Sequence, residues 1–321
     1  MRYLSTKDMQ ALPMDWNRSI DTIQTAVRCL ATEDYVQPVK PYLRYRDARN
    51  RIIAMPAFIG GDINSAGIKW IASFPGNIDR DLPRASSVLV LNEVDTGVPK
   101  AIFNGGLLSA IRTASVSGLM IREYQQARRL RDIRVGMTGF GPIGRQHLAM
   151  IAELLGDNVR SVRIFDPRPV DRTILPAAIA DRVEIVPSWR AAYADAQIFL
   201  TCTVASERYI DQAPVKGSLQ LNVSLRDYTA DVLRAIDVHV VDNWDEICRE
   251  NTDIELAHKT FGLSAKDVYT IDQVITRKLF AQAGINKTIM VNPMGMAIFD
   301  MAIAEYFLAT ARRVGAGVEL D

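Results

Sequence analysis

Hydrophobic and polar positions alternate along this chain in two distinct grammars. In the first third, residues 16–30 carry apolar side chains at helical spacing and predict a helix. The run 51–58 reads as a strand ending near Pro56, where the backbone donor is lost. Residues 68–74 and 87–92 read as further strands, and Asp95-Thr96-Gly97 is a turn signal after the second. The spacing predicts an interrupted, mostly antiparallel meander. Residues 107–126 then turn helical, with Ala110, Ala114, Ser117 and Gly118 as small residues on the helix.

From residue 133 the pattern changes. Short apolar runs at 133–137, 161–165, 183–186, 196–201, 219–223 and 237–241 alternate with helix-like segments. Strands alternating with helices predict a parallel α/β sheet. The last helix, near 294–313, is apolar on several faces, which predicts packing between domains or subunits.

Composition changes this picture little. A chain of 321 residues suggests two domains, and 48% hydrophobic residues are ordinary for a globular protein. With 38 Lys and Arg against 37 Asp and Glu, no global charge draws the chain to nucleic acid or an anionic membrane. No stretch approaches the ~18 uncharged apolar residues of a membrane span, and no secretory signal is visible. Cys29, Cys202 and Cys248 form neither a disulfide framework nor a zinc spacing. His147, His239 and His258 show no metal-binding spacing. The expectation is a reduced, cytoplasmic protein without a metal.

One turn carries chemistry. Gly139, Gly141 and Gly144 make G-x-G-x-x-G between a predicted strand and a predicted helix, with Pro142 and Ile143 inside it. Alone, three glycines are weak evidence. Here an acidic residue, Asp166, ends the next strand, which is the pattern of a Rossmann-type dinucleotide site. Gly139 permits the tight turn, Gly141 admits the pyrophosphate, and Gly144 lets helix and strand pack closely. The helix N-terminus presents N–H groups to phosphate. Asp166 accepts from ribose hydroxyls and favours NAD over NADP, although Arg168 and Arg172 lie just beyond it. A glycine-rich turn that binds nothing is the bland alternative.

Cations stand in unusual settings. Lys69 lies in an apolar strand, Arg112 among small residues, and Arg44 beside aromatics. Such charges are costly unless paired, and a small anionic substrate would pair them. Ordinary exposed strand positions are the competing reading. Asp227 follows an apolar strand, where open α/β sheets place ligands, and is a candidate general acid/base or a helix cap. Thr201 and Thr203 end another strand and are candidate cofactor contacts.

Together these segments resemble the ornithine cyclodeaminase/μ-crystallin family along nearly the whole chain. The matching pieces are residues 51–56, 67–70 and 109–114, the glycine turn, Asp227, residues 292–295 and 297–300. The resemblance implies a Rossmann-type dinucleotide-binding domain, residues 116–292, inserted in an α+β substrate-binding and dimerisation domain, residues 1–115 plus 293–321. It implies a homodimer. It gives Arg44, Lys69 and Arg112 the substrate carboxylate, and Asp227 the catalytic role. Ser224, Asn292, Met294 and Gly295 join the expected NAD contacts.

Residues 40–45, 68–78 and 222–227 look most like the branch that oxidises N-(2-amino-2-carboxyethyl)-L-glutamate to L-2,3-diaminopropionate and 2-oxoglutarate. Such a product would serve siderophore or peptide natural-product biosynthesis. Two departures bear on substrate. Cyclodeaminases carry Glu where this chain has Ile53, which weakens ornithine as a substrate. Their Gly-Gly-Asp becomes Leu225-Arg226-Asp227, so Arg226 is a further candidate for a carboxylate, and Lys69 for proton transfer as well as binding. Ornithine cyclodeaminase, ketimine reductase and alanine dehydrogenase activities stay open, as does a nucleotide-binding protein without turnover.

Overall fold

The computed structural model describes residues 1–321 and divides the chain into two compact units. The first comprises Met1–Arg112 and Met296–Asp321, the second Thr113–Gly295. The helix Gly105–Arg128 runs through the boundary.

The first unit is built on one sheet. Its strands are β1 (Arg2–Leu4), β2 (Tyr35–Val36), β3 (Tyr42–Leu43), β4 (Arg51–Ile59), β5 (Ser65–Ser73), β6 (Ala85–Asn92) and β7 (Pro99–Asn104). From β4 to β7 they form an antiparallel meander; β1 adds parallel to β7, and the short strand Val318–Glu319 closes that edge. Side chains alternate across it, so Met55, Lys69, Leu89 and Phe103 share the buried face.

Two helices cover that face. Asp15 caps the helix Trp16–Ala31 by accepting from the Arg18 N–H at 2.8 Å. Trp16, Ile20, Ile23 and Val27 then fall on one buried stripe. The helix Ala297–Val314 packs between this helix and β4 and β5. Its apolar residues are therefore buried against that helix and the sheet of its own unit. It also begins at Ala297 rather than 294, because Gly295 adopts φ +93° and residues 293–296 form a loop.

Pro56 does not end β4, which continues to Ile59. On one side Pro56 pairs with Ile68 of β5. On the other, β3 pairs only with Ile52 and Ile53, and β2 only with Phe58 and Ile59. Pro56 sits in the gap, where a missing N–H leaves no ladder bond unmade.

The second unit holds eight parallel strands: β8 (Ile133–Thr138), β9 (Val159–Phe165), β10 (Val183–Ile185), β11 (Ile198–Thr201), β12 (Leu219–Asn222), β13 (Val238–Val241), β14 (Val268–Thr270) and β15 (Ile289–Asn292). Their order is β10-β9-β8-β11-β12-β15-β13-β14. Strands β11, β12 and β15 are buried at every position, as a sheet covered on both faces requires. The order reverses between β8 and β11, the place where doubly wound sheets open a ligand crevice. No helix in the protein is long and apolar enough to cross a membrane.

Candidate functional site

The glycine turn lies at this reversal, between the end of β8 and the helix Pro142–Leu155. Gly139 has φ +86°, and a Cβ there would stand 2.4 Å from the Cys202 carbonyl oxygen after β11. A Cβ on Gly144 would stand 2.3 Å from the Gly139 carbonyl oxygen. These two glycines are required by the protein's own packing. Gly141 is different. It caps the helix without a side-chain bond, and a Cβ there would meet only the Arg168 guanidinium, at 3.8 Å. It stands at the N–H end of the helix, with Pro142 at the first turn, an arrangement that suits phosphate.

Asp166 follows β9 and ties back to the turn. Its Oδ2 accepts from the Phe140 N–H at 2.7 Å, and Arg168 forks onto both its oxygens at 3.2 Å. Burial opposes ionisation of Asp166, but the Arg168 side chain and the two backbone donors outweigh it and hold its carboxyl below the ordinary range.

A second cluster gathers at the ends of β8, β11 and β12. Asp227 is fully buried, and the Thr203 and Ser224 hydroxyls donate one to each of its carboxylate oxygens. The Tyr209 hydroxyl donates to Thr138 Oγ1 at 2.9 Å, beside the same group. Behind it, Asp253 accepts from the Asp227 and Tyr228 N–H groups at 3.1 and 3.3 Å and from Arg208 Nε at 2.7 Å. The loop carrying Asp227 is strained. Leu225 has φ +66°, which costs a side-chain-bearing residue roughly 1–2 kcal/mol. Its side chain is buried in the core, its N–H donates to Asn222 Oδ1 at 3.1 Å, and its carbonyl accepts from the Asp253 N–H at 2.7 Å. These contacts hold the conformation.

Several expected site residues have other employment. Thr201 donates to Asn222 Oδ1 at 3.2 Å, and Asn222 donates to Asn292 Oδ1 at 2.9 Å. Both Thr201 and Asn292 are fully buried, and their side chains tie β11, β12 and β15 together. Met294 and Gly295 form the loop before the last helix, where their N–H groups donate to the Asp242 carboxylate at 3.1 and 2.6 Å. Arg226 spends its fork on the Glu250 carbonyl, at 2.8 and 3.2 Å, and on the Ser224 carbonyl at 3.4 Å. It braces the loop instead of extending as a free cation.

In the first unit, Lys69 and Arg112 meet. Lys69 Nζ and Arg112 Nε both donate at 3.0 Å to the same oxygen, Oδ1 of Asp300, and Lys69 also donates to Ser109 Oγ at 2.8 Å. All three charged groups are buried, and the other Asp300 oxygen has no partner. Burial pulls the Lys69 ammonium down to about 8; the Asp300 charge resists this, while Arg112 and Lys40 add to it. The Asp300 carboxyl also resists burial, and the two cations keep it ionised, below its ordinary range. Arg44 does not join this group. It is exposed, with its guanidinium 4.9 Å from the centre of the Tyr42 ring.

Asp300 and Lys40 were not singled out from the pattern. The signal for Asp300 was there: one carboxylate in the otherwise uncharged run 297–304 has to find cations when that helix is buried.

Comparison with known proteins places the chain in a family. The family model described as the ornithine cyclodeaminase/mu-crystallin family matches residues 9–313. N-((2S)-2-amino-2-carboxyethyl)-L-glutamate dehydrogenase of Staphylococcus aureus is 31% identical, with 100% of this chain and 98% of that protein covered. The Thermococcus litoralis Delta(1)-pyrroline-2-carboxylate reductase structure, in complex with NADH and L-proline, superposes with TM-score 0.87 at 20% identity, both chains fully covered. An archaeal alanine dehydrogenase dimer with bound NAD superposes with TM-score 0.79 at 20% identity, covering 100% of this chain and 99% of that one. With the family model matched over nearly its whole length, this chain belongs to the ornithine cyclodeaminase/mu-crystallin family.

Proposed function

We propose that this protein is an NAD-dependent oxidoreductase acting on the CH–NH group of an amino-acid-derived secondary amine, N-(2-amino-2-carboxyethyl)-L-glutamate. The observation that carries the reading is an excess of buried positive charge. Two cations, Lys69 and Arg112, share one oxygen of one buried carboxylate. An anionic substrate placed against them balances that excess. The similarity to the S. aureus dehydrogenase supports this particular amine. Relatives and structural neighbours whose names and ligands are NAD, NADH and amino or imino acids support the reaction class.

The residues present fit the cofactor, because a Cβ would narrow the cradle at Gly141 that is open here. Gly139, Gly141, Gly144 and the helix N-terminus would hold the pyrophosphate, and Asp166 the ribose. When bound, NAD supplies a hydride acceptor for the glutamate α-carbon. Lys69 and Arg112 hold substrate carboxylate, so orientation contributes a large part of the rate. Lys69, titrating at about 8, is also poised to exchange a proton near neutral pH. Loss of hydride leaves an imine carbon that water attacks. Asp227, held by the Thr203 and Ser224 hydroxyls, activates that water as general base. Collapse then releases L-2,3-diaminopropionate and 2-oxoglutarate. A second copy of the chain completes the active form, covering the apolar outer face of the first unit's sheet.

The test is direct. Supplying this amine with NAD yields NADH and 2-oxoglutarate in equal amounts. Asp227→Asn loses turnover and keeps NADH binding. A folded wild-type protein that makes no NADH sinks the substrate, and an unimpaired Asp227→Asn sinks the role of Asp227.

A further inference from the structure

The carboxylate assigned to the cofactor's ribose is covered. Asp166 Oδ2 accepts from the Phe140 N–H at 2.7 Å and from Arg168 Nη2 at 3.2 Å. Its Oδ1 accepts from the Arg168 N–H at 2.9 Å and from Arg168 Nε at 3.2 Å. Four bonds on two oxygens use the lone pairs of an ionised carboxylate. The Asp166 side chain is 5% exposed and that of Arg168 is 69% exposed. The guanidinium therefore lies outermost, with the carboxylate beneath it. The same guanidinium stands 3.8 Å from the place a Cβ of Gly141 would take, so it reaches from the ribose acid to the glycine turn. The next charges along the chain are engaged elsewhere. Arg172 Nη2 donates to the Val183 carbonyl at 3.4 Å, and Asp171 Oδ1 accepts from the Thr173 N–H and hydroxyl at 2.9 and 2.7 Å. An incoming nucleotide thus meets a neutral pair with its cation on the outside.

We propose that Arg168 sets cofactor choice, and that the Asp166–Arg168 pair lets this protein bind NADP(H) as well as NAD(H). The proposal rests on the reading above that the glycine turn binds a nicotinamide dinucleotide. A bare carboxylate at the end of this strand accepts from a ribose 2′-hydroxyl and repels a 2′-phosphate. Here that carboxylate is neutralised in advance. While the pair stays closed, Asp166 is screened and the Arg168 donors on Nη1 are left for a phosphate, which a guanidinium suits in shape and charge. Once the pair opens, the Asp166 oxygens are released to ribose hydroxyls. An ion pair with one partner this exposed adds little stability, so both positions are reached at small cost.

The test is equilibrium binding of NADH and of NADPH to the full chain, followed by nicotinamide fluorescence, which needs no turnover. In the wild type NADPH binds no more than ten-fold weaker than NADH. Arg168→Gln weakens NADPH at least ten-fold relative to NADH, and Arg168→Lys keeps part of the NADPH affinity. Added salt weakens NADPH more than NADH, because an exposed phosphate–guanidinium contact is screened. A merely structural fault would weaken both nucleotides together, and melting curves show whether each variant is folded. NADPH more than ten-fold weaker than NADH in the wild type, or a ratio that Arg168→Gln leaves unchanged, overturns the proposal and leaves the cofactor reading standing. Binding of neither nucleotide refutes that reading and the proposal with it. Whether N-(2-amino-2-carboxyethyl)-L-glutamate is oxidised bears on neither result.

Discussion

Lys69 Nζ lies 3.0 Å from Asp300 Oδ1, with the Lys69 side chain 2% exposed and the Asp300 side chain not exposed at all. An ion pair that deep is costly to form and more costly to break, because its surviving partner stays buried and charged. Asp300→Asn leaves Lys69 and Arg112 without their shared counter-charge. The expected loss of stability is about 3–5 kcal/mol in chemical denaturation. The same change lowers the Lys69 ammonium further below about 8, since the Asp300 charge is what holds it up. The pH profile of kcat/KM therefore loses activity at a lower pH than in the wild type. Unchanged stability and an unchanged profile would show that the pair is incidental.

Two buried histidines set the acid limit. Burial pulls His147 and His239 to about 4 in the folded chain, against a partly compensating bond to the Ile143 carbonyl in one and the Leu233 carbonyl in the other. The unfolded value is about 6.5. Their folded values are lowered, so between pH 6.5 and 4 the unfolded chain binds more protons and stability falls with falling pH. Each histidine contributes on the order of 3 kcal/mol to that loss. Denaturant midpoints measured across this window show the decline, and His239→Asn flattens it. A midpoint constant from pH 7 to 4.5 would contradict the assignment.

The glycine turn separates binding from folding. At Gly144 a methyl group collides with the Gly139 carbonyl, so Gly144→Ala lowers both melting temperature and NADH affinity. At Gly141 nothing but the far end of Arg168 stands near. Gly141→Ala is expected to melt within about 2 °C of the wild type, a shift that corresponds to about 1 kcal/mol. NADH binding, followed by fluorescence, falls at least ten-fold. Equal affinity in Gly141→Ala and the wild type would mean that no pyrophosphate sits there.

What could be read from the amino-acid pattern follows from what the pattern encodes. The strands of the second unit announce themselves, because burial on both faces demands unbroken apolar runs. Strands β14 and β15 escaped, although at three and four residues they match β10 and β13, which were read. Lys69 and Arg112 were visible as charges in apolar settings. Arg226 and Arg44 were visible as charges too, but sequence gives no direction for a side chain: one braces a loop carbonyl and the other lies on an aromatic ring. Thr201 and Asn292 sit at strand ends, as expected for cofactor contacts, yet their polar atoms satisfy each other's neighbours inside the sheet. Pro56 shows the same limit. A proline ends a strand only where its missing donor had a partner, and that depends on β2 and β3.

The outer face of the first unit's sheet bears on assembly. Trp70 of β5 pairs with Val88 of β6, and they are 45% and 46% exposed. Ile68 pairs with Val90, which in turn pairs with Ile102 of β7, so apolar side chains continue across three strands. A contiguous apolar face of this kind marks an interaction surface. An apolar patch can be self-complementary under a two-fold axis, which suits a second copy of the chain. Light scattering at micromolar concentration should give the mass of a dimer for the wild type. A glutamate at the centre of the face has to be buried without a partner, at a cost of several kcal/mol per interface. Trp70→Glu and Val88→Glu are each expected to give a folded monomer, with far-ultraviolet circular dichroism unchanged. The dissociation constant rises at least a hundred-fold, which corresponds to about 2.8 kcal/mol. A wild-type monomer, or dimers that survive both substitutions, would place the contact elsewhere.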